Sequence, residues 1–328
     1  MHPFSFVECD SAESAVRAVA DDARAVFLAG GTTLIDLMKL DVMSPAELVD
    51  INRLPFGSIE VQADGILIGA NVRNSDLAHH RTVRERFPVL SEALLGGASA
   101  QIRNMATTAG NLMQRTRCTY FRDVNTKCNK RQPGSGCDAI TGYNRSHAVL
   151  GTSERCIATH PSDMCVALMI LDAIVQTQKR DGSKRRIPLN EFYLLPGETP
   201  ERETVLEHGE LITHVHLPNT PVARRSHYLK VRDRASYEFA LASAAVGLET
   251  QGVIITAARV ALGGIATVPW RSREAEIALE NKPAVRETFL TAADAALKSA
   301  KAYRHNAFKI ELSKRTRVLA LEELLRRP

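Results

Sequence analysis

Apolar positions change period several times along the chain, and each change predicts an element. Ala15, Val16 and Val19 share one helical face after Ser11, a residue able to cap a helix start. The run Ala25-Val26-Phe27-Leu28-Ala29 predicts a buried strand, Gly30-Gly31-Thr32-Thr33 a tight turn, and Leu34, Leu37 and Met38 the apolar face of a second helix. Leu48-Val49-Asp50-Ile51 closes this unit as a strand, so residues 1–55 read as βαβ-like. A strand at Ile66–Ala70 and a helix from Pro88 to a glycine stop at Gly96-Gly97 open a second α+β region.

Further along, Pro161–Leu171 predicts a helix beginning at Ser162-Asp163. Val175–Thr177 and Arg186–Pro188 flank Asp181-Gly182 as a hairpin, and Leu211–Leu217 alternates as a strand. Pro218-Asn219-Thr220-Pro221 reads as a linker, dividing the chain into 1–218 and 225–328. The second part predicts strands near Tyr228 and over Val253–Leu262, then helices from Ser272 to Leu325. The whole is expected to be an α+β protein, without repeats or low-complexity tracts.

Composition narrows the functional classes. With 45% apolar and 24% charged residues in 328, the chain is an ordinary globular protein. No apolar run approaches the ~20 residues of a membrane span, so membrane insertion is not expected. The first residues lack the basic and apolar regions of an export signal.

Charge and cysteine are concentrated together. Arg115 to Cys156 holds eight basic and three acidic side chains, a surplus equal to the +5 of the entire chain. The same segment holds Cys118, Cys128, Cys137 and Cys156, with Arg, Asn, Lys, Gly and Pro around them rather than core-forming neighbours. Cys9 and Cys165 read as core thiols, Cys165 within the apolar run Met164–Leu168. Three readings of the quartet remain open on these residues. They are disulfides in an oxidising compartment, a zinc-stabilised basic module for nucleic acid, and a four-thiolate iron–sulfur site. The gaps of nine, eight and eighteen residues are wider than usual zinc pairs. The cationic surroundings would offset the negative charge of a thiolate-bound cluster. An aromatic content of 5% argues against base stacking, and nucleic acid is not an expected partner.

Two turns are able to cradle phosphate. Gly30–Thr33 offers backbone N–H groups and hydroxyls between a strand and a helix. Thr107-Thr108-Ala109-Gly110-Asn111 repeats small residues, hydroxyls and an amide beside a glycine. Neither is a Walker loop or a nicotinamide dinucleotide fingerprint. Two such turns suit a dinucleotide, with Asp163 a candidate acceptor for ribose or ribityl hydroxyls. No catalytic nucleophile or acid–base pair stands out, so the chemistry is expected to belong to bound cofactors.

Together these residues resemble the FAD-binding medium subunit of the xanthine oxidase family of molybdenum hydroxylases, over nearly the full chain. Phe27–Leu34 resembles the first flavin loop and Thr107–Asn111 the second. The strand Val260-Ala261-Leu262-Gly263-Gly264 resembles the motif of the C-terminal domain. The runs Cys128–Arg131, Pro133–Cys137 and Lys230–Tyr237 are most similar to the branch of bacterial periplasmic aldehyde oxidoreductases.

The resemblance implies a two-part FAD-binding domain of the vanillyl-alcohol-oxidase/CO-dehydrogenase flavoprotein type, over 1–55 and 56–218, and a C-terminal α+β domain. It implies FAD bound by Val26, Phe27, Leu28, Ala29, Gly30, Gly31, Thr32, Thr33, Leu34, Thr107, Thr108, Gly110, Asn111, Asp163, Ile212 and Lys230. It also implies a [4Fe-4S] cluster on Cys118, Cys128, Cys137 and Cys156 within an insertion over 115–158. The expected function is electron transfer within a molybdenum-dependent aldehyde oxidoreductase, with no catalytic residue on this chain. A related hydroxylase or aryl-CoA reductase is the alternative. The expected partners are a small [2Fe-2S] subunit and a large subunit with molybdopterin cytosine dinucleotide, in a heterotrimer. The expected location is the periplasm, by co-export with a signal-bearing partner, or else the cytoplasm. Two departures bear on the flavin. Ala109 replaces a usual glycine and needs negative φ, and Thr33 replaces a commoner amide residue.

Overall fold

The computed structural model describes residues 1–327. Three sheets organise them. The first is parallel, with Glu47–Asp50 central between Ser5–Glu8 and Ala25–Leu28. Helix Ala12–Asp21 crosses it, capped by the Ser11 side chain accepting from the Ser14 N–H and burying Ala12, Ala15, Val16 and Val19. The βαβ reading of residues 1–55 therefore holds. In the strand expected to be buried, only Ala25 is so; Val26, Phe27 and Leu28 are half-buried because they face a cavity.

The second sheet has five antiparallel strands in the order Ile59–Gln62, Gly65–Gly69, Leu211–Pro218, Ile174–Gln178, Lys184–Pro188. Helix Pro88–Gly96 and helix Asp163–Ile170 pack in its core. Ser162 caps the second of these by accepting from the Cys165 N–H. Residues Met164 to Ile170 are buried all round. Cys9 and Cys165 are both buried core thiols, as read.

The third sheet is antiparallel, ordered Trp270–Arg271, Ile254–Gly263, Ala242–Gln251, Ser226–Val231. Strand Ala242–Gln251 is absent from the sequence reading. Residues Ala242 to Leu248 are buried on both faces, so no alternation of polar and apolar positions marks them. The helical stretch divides into Arg273–Leu279, Arg286–Leu297 and Phe308–Arg326. One core runs through both halves of the chain, since Tyr228, Ala245 and Ala261 join the cluster built on the five-stranded sheet. Among the described residues no helix is long and apolar enough to cross a membrane.

Candidate functional site: two adjoining cavities

The first turn begins where strand Ala25–Leu28 ends. Gly31 has φ +69°, a conformation that favours glycine. A Cβ on Gly30 would fall 2.0 Å from the Met105 carbonyl oxygen, so only glycine lets this turn meet the chain entering the second one. The N–H groups of Gly30, Gly31, Thr32 and Thr33 donate to no acceptor among the described residues. The helix that follows, Leu34–Lys39, has six residues. The turn's binding capacity therefore rests on these free N–H groups and hydroxyls rather than on a long helix dipole.

The second turn is used differently. Thr107 caps helix Thr108–Leu112 by accepting from the Gly110 N–H at 3.2 Å. Thr108 spends both its N–H and its hydroxyl on the Val72 carbonyl. The Asn111 side-chain oxygen accepts from the Ser162 hydroxyl at 2.7 Å. Ala109 lies inside the helix and is not among the residues with positive φ, so the missing glycine imposes no strain.

A cavity of about 540 Å³ opens beside both turns, within the range of roughly 300–1,000 Å³ typical of cofactor pockets. Val26 to Leu34 line it without a gap, joined by Thr107, Gly110 and Ile212. Thr108, Asn111, Asp163 and Lys230 lie outside its lining. Lys230 donates to Asp163 at 2.7 Å and to the Gly96 carbonyl at 3.1 Å, and the Tyr228 hydroxyl also reaches Asp163. That buried pair joins the third sheet to helix Asp163–Ile170.

Sequence reading missed His160, Tyr193 and Glu203, which also line the cavity. Burial pushes His160 down to about 3 against the opposing pull of Glu203, with Lys130 adding to the burial effect. Burial opposes charge on Glu203, but Arg115 and Lys130, at 2.7 and 2.8 Å, outweigh it and hold the carboxyl below its usual range. The signal for His160 was its place two residues before the capping Ser162; Glu203 carries none.

Segment 115–158 brings its four cysteines together. Cys118, Cys128, Cys137 and Cys156 line one small second cavity, and Cys128 and Cys137 form a β-bridge. All six cysteines are free. Among the described residues no three His, Cys, Asp or Glu side chains converge as they would on a single metal ion. Burial pushes Cys118 up to about 12 and Cys156 to about 11, and raises Cys137. Thiolates here thus need a positively charged centre to hold them. Lys130, Cys156 and Ala158 line both cavities, so the two share a wall.

Most of the cations between Arg115 and Cys156 are paired. Arg115 and Lys130 pair with Glu203, Arg117 and Arg122 with Asp36, Arg145 with Asp233, and Arg155 with Glu198. Arg131 is spent on the carbonyls of Tyr120, Phe121 and Thr126. Six of these cations thus latch the segment to acids elsewhere in the chain.

The family described as FAD binding domain in molybdopterin dehydrogenase matches residues 2–220, and CO dehydrogenase flavoprotein C-terminal domain matches residues 227–316. The chain belongs to this family of FAD-binding subunits of molybdenum hydroxylases, which are oxidoreductases. It is 50% identical over 325 residues to the aldehyde oxidoreductase FAD-binding subunit PaoB of Escherichia coli (strain K12), covering 98% of each chain. It is 28% identical to the glyceraldehyde dehydrogenase medium chain of Sulfolobus acidocaldarius, covering 84% of this chain and 81% of that one. Carbon monoxide dehydrogenase from Hydrogenophaga pseudoflava shares the fold, with a TM-score of 0.77 at 24% identity, covering 99% of this chain and 98% of that one.

Proposed function

We propose that this chain is the flavin- and iron–sulfur-carrying electron-transfer subunit of a molybdenum-dependent aldehyde oxidoreductase. The observation that carries the reading is the shared wall: a cofactor-sized cavity, lined along one side by the run Ala25 to Leu34, abuts a chamber of four thiols. Bound FAD supplies two-electron transfer to an external acceptor, and a [4Fe-4S] group supplies one-electron storage.

Val26 to Leu34 would hold the FAD, with the free N–H groups of Gly30 to Thr33 facing its phosphates and Thr107, Gly110 and Ile212 closing the pocket. Thr108 and Asn111 would set the second turn, while Asp163 and Lys230 tie the C-terminal domain beside it. Cys118, Cys128, Cys137 and Cys156 would ligate the cluster. A cubane offers four separate iron corners, so its thiolates stand farther apart than those around one zinc ion, in keeping with a chamber rather than a point of convergence.

Aldehyde oxidation belongs to the reading through the 50% identical relative. The aldehyde site, with molybdenum and molybdopterin cytosine dinucleotide, would lie on a large partner, and a small partner would carry [2Fe-2S] clusters in a heterotrimer. A periplasmic location, reached with a signal-bearing partner, and a division into domains 1–218 and 225–328 complete the proposal. Their support is the resemblance to the periplasmic enzymes and, for the division, the chain's passage between sheets near Pro221.

Quantifying flavin, iron and zinc in the purified protein, with visible and EPR spectra, tests the reading. It expects about one FAD and about four irons per chain. Zinc alone, or colourless protein, overturns it.

A further inference from the structure

We propose that His147 donates an N–H···S hydrogen bond to the Cys118 sulfur and thereby raises the reduction potential of the group held there. His147 is 2% exposed, and its Nε2 lies 3.1 Å from the Cys118 Sγ, 29 residues away in sequence. It is the sole imidazole or amide side chain hydrogen-bonded to any of the four clustered thiols among the described residues. The inference rests on the four-thiolate iron–sulfur reading, because the direction of the bond follows from it. A metal-bound thiolate has no proton to give, so Nε2 must carry the hydrogen. In the neutral ring that leaves Nδ1 bare, and Nδ1 has no partner among the described residues.

The surroundings are built to hold this ring. The His147 N–H donates to the Asn144 carbonyl, and the His147 carbonyl accepts from Lys309 Nζ at 3.1 Å and Asn306 Nδ2 at 3.3 Å. Lys309 is fully buried and spends its remaining donors on the carbonyls of Ser146 and Gly264. The C-terminal helix Phe308–Arg326 and the loop before it thus fix a segment of the insertion from outside. A buried lysine on carbonyls alone is costly, so the segment it fixes is held against a real penalty. Reduction adds an electron to the sulfur-ligated iron, and an N–H aimed at a ligating sulfur stabilises that added charge. His147 is therefore a positioning residue that acts through Cys118.

The test uses the full chain with whatever partners purify with it, in wild-type, His147→Ala, His147→Phe and His147→Gln forms. Iron and sulfide content are measured first, then the midpoint potential by dithionite titration followed in the EPR spectrum. The expected result is full iron with a lower potential in the Ala and Phe variants, and a potential returned toward wild type by Gln, which keeps an N–H donor. Iron retained by Gln but lost from Ala and Phe also supports the donor role. Wild-type potential at full iron in Ala and Phe overturns the inference. Iron lost from all three variants overturns it in favour of a ligand or scaffold role. Iron missing from the wild-type protein is a separate failure, that of the cluster reading itself.

Discussion

The large cavity and the thiol chamber are neighbours made in opposite ways. One consecutive run, Ala25 to Leu34, lines one side of the first and offers it main-chain N–H donors whose positions follow from a strand, a glycine turn and a helix start, while side chains such as His160, Tyr193 and Glu203 complete the wall. The chamber collects four side chains across 39 positions of loop, with two four-residue helices as its regular structure. Its shape depends on anchors outside itself: Asp36, Glu198, Glu203, Asp233 and the Lys309 ammonium. A site made of contiguous backbone carries its geometry in local rules, whereas a site made of scattered side chains borrows its geometry from the rest of the molecule.

The contrast predicts that each cavity can be emptied alone. On the proposed iron–sulfur reading, Cys128→Ser should remove essentially all of about four irons per chain, because a hard hydroxyl is a poor substitute for thiolate. Flavin should stay at wild-type stoichiometry, and joint loss of both in the metal and flavin assays would show the cavities to be one cooperative unit. Gly30→Ala should do the reverse. Its Cβ meets the Met105 carbonyl at 2.0 Å, so the two turns must part, costing about 3 kcal/mol of stability and most of the bound flavin while iron is retained. Denaturant unfolding beside flavin absorbance reads both effects.

Smaller effects sharpen the point about anchors. Glu203→Gln leaves Arg115 and Lys130 without their carboxylate at the wall between the cavities, which should cost on the order of 2–3 kcal/mol in urea unfolding. Asp36→Asn should cost about 1 kcal/mol at pH 7 once solvent screening is allowed for. Arg122, with Arg117 adding, holds the Asp36 carboxyl below its usual value. The stability this group adds is therefore complete above its unfolded pKa of about 3.9, and is lost as pH falls through the lower folded value. Wild type and Asp36→Asn should accordingly begin to converge in melting temperature as pH falls below about 4, and should meet once pH lies below the depressed folded value. A gap that persists there would assign the effect to packing.

The parts of the fold legible in the sequence were those with a local signature. Ser11 announced its helix as a capping residue, the pair Ser162-Asp163 announced a helix start, Asp181-Gly182 announced a hairpin, and alternation marked Leu211–Leu217. Strand Ala242–Gln251 was invisible because both its faces are covered, one by the helices behind it and one by the shared core. The turn Gly30–Thr33 was legible as a tight turn able to cradle an anion; that Gly30 leaves no room for a Cβ beside the Met105 carbonyl was not. That Thr108 would turn away from the cavity, its donors consumed by the Val72 carbonyl, was not. Nor was the pairing of Asp163 with Lys230, which stand 67 positions apart in the chain.

The sequence by itself determined the family, the α+β pattern and the identity of the groups available for chemistry, because glycine turns, caps and clustered cysteines act through neighbours a few residues away. Tertiary structure alone decided which of those groups share a cavity, that the insertion's cations are latches, and that His147 meets Cys118. Ion pairs and buried hydrogen bonds join residues by distance in space, and one polypeptide sequence does not display that distance.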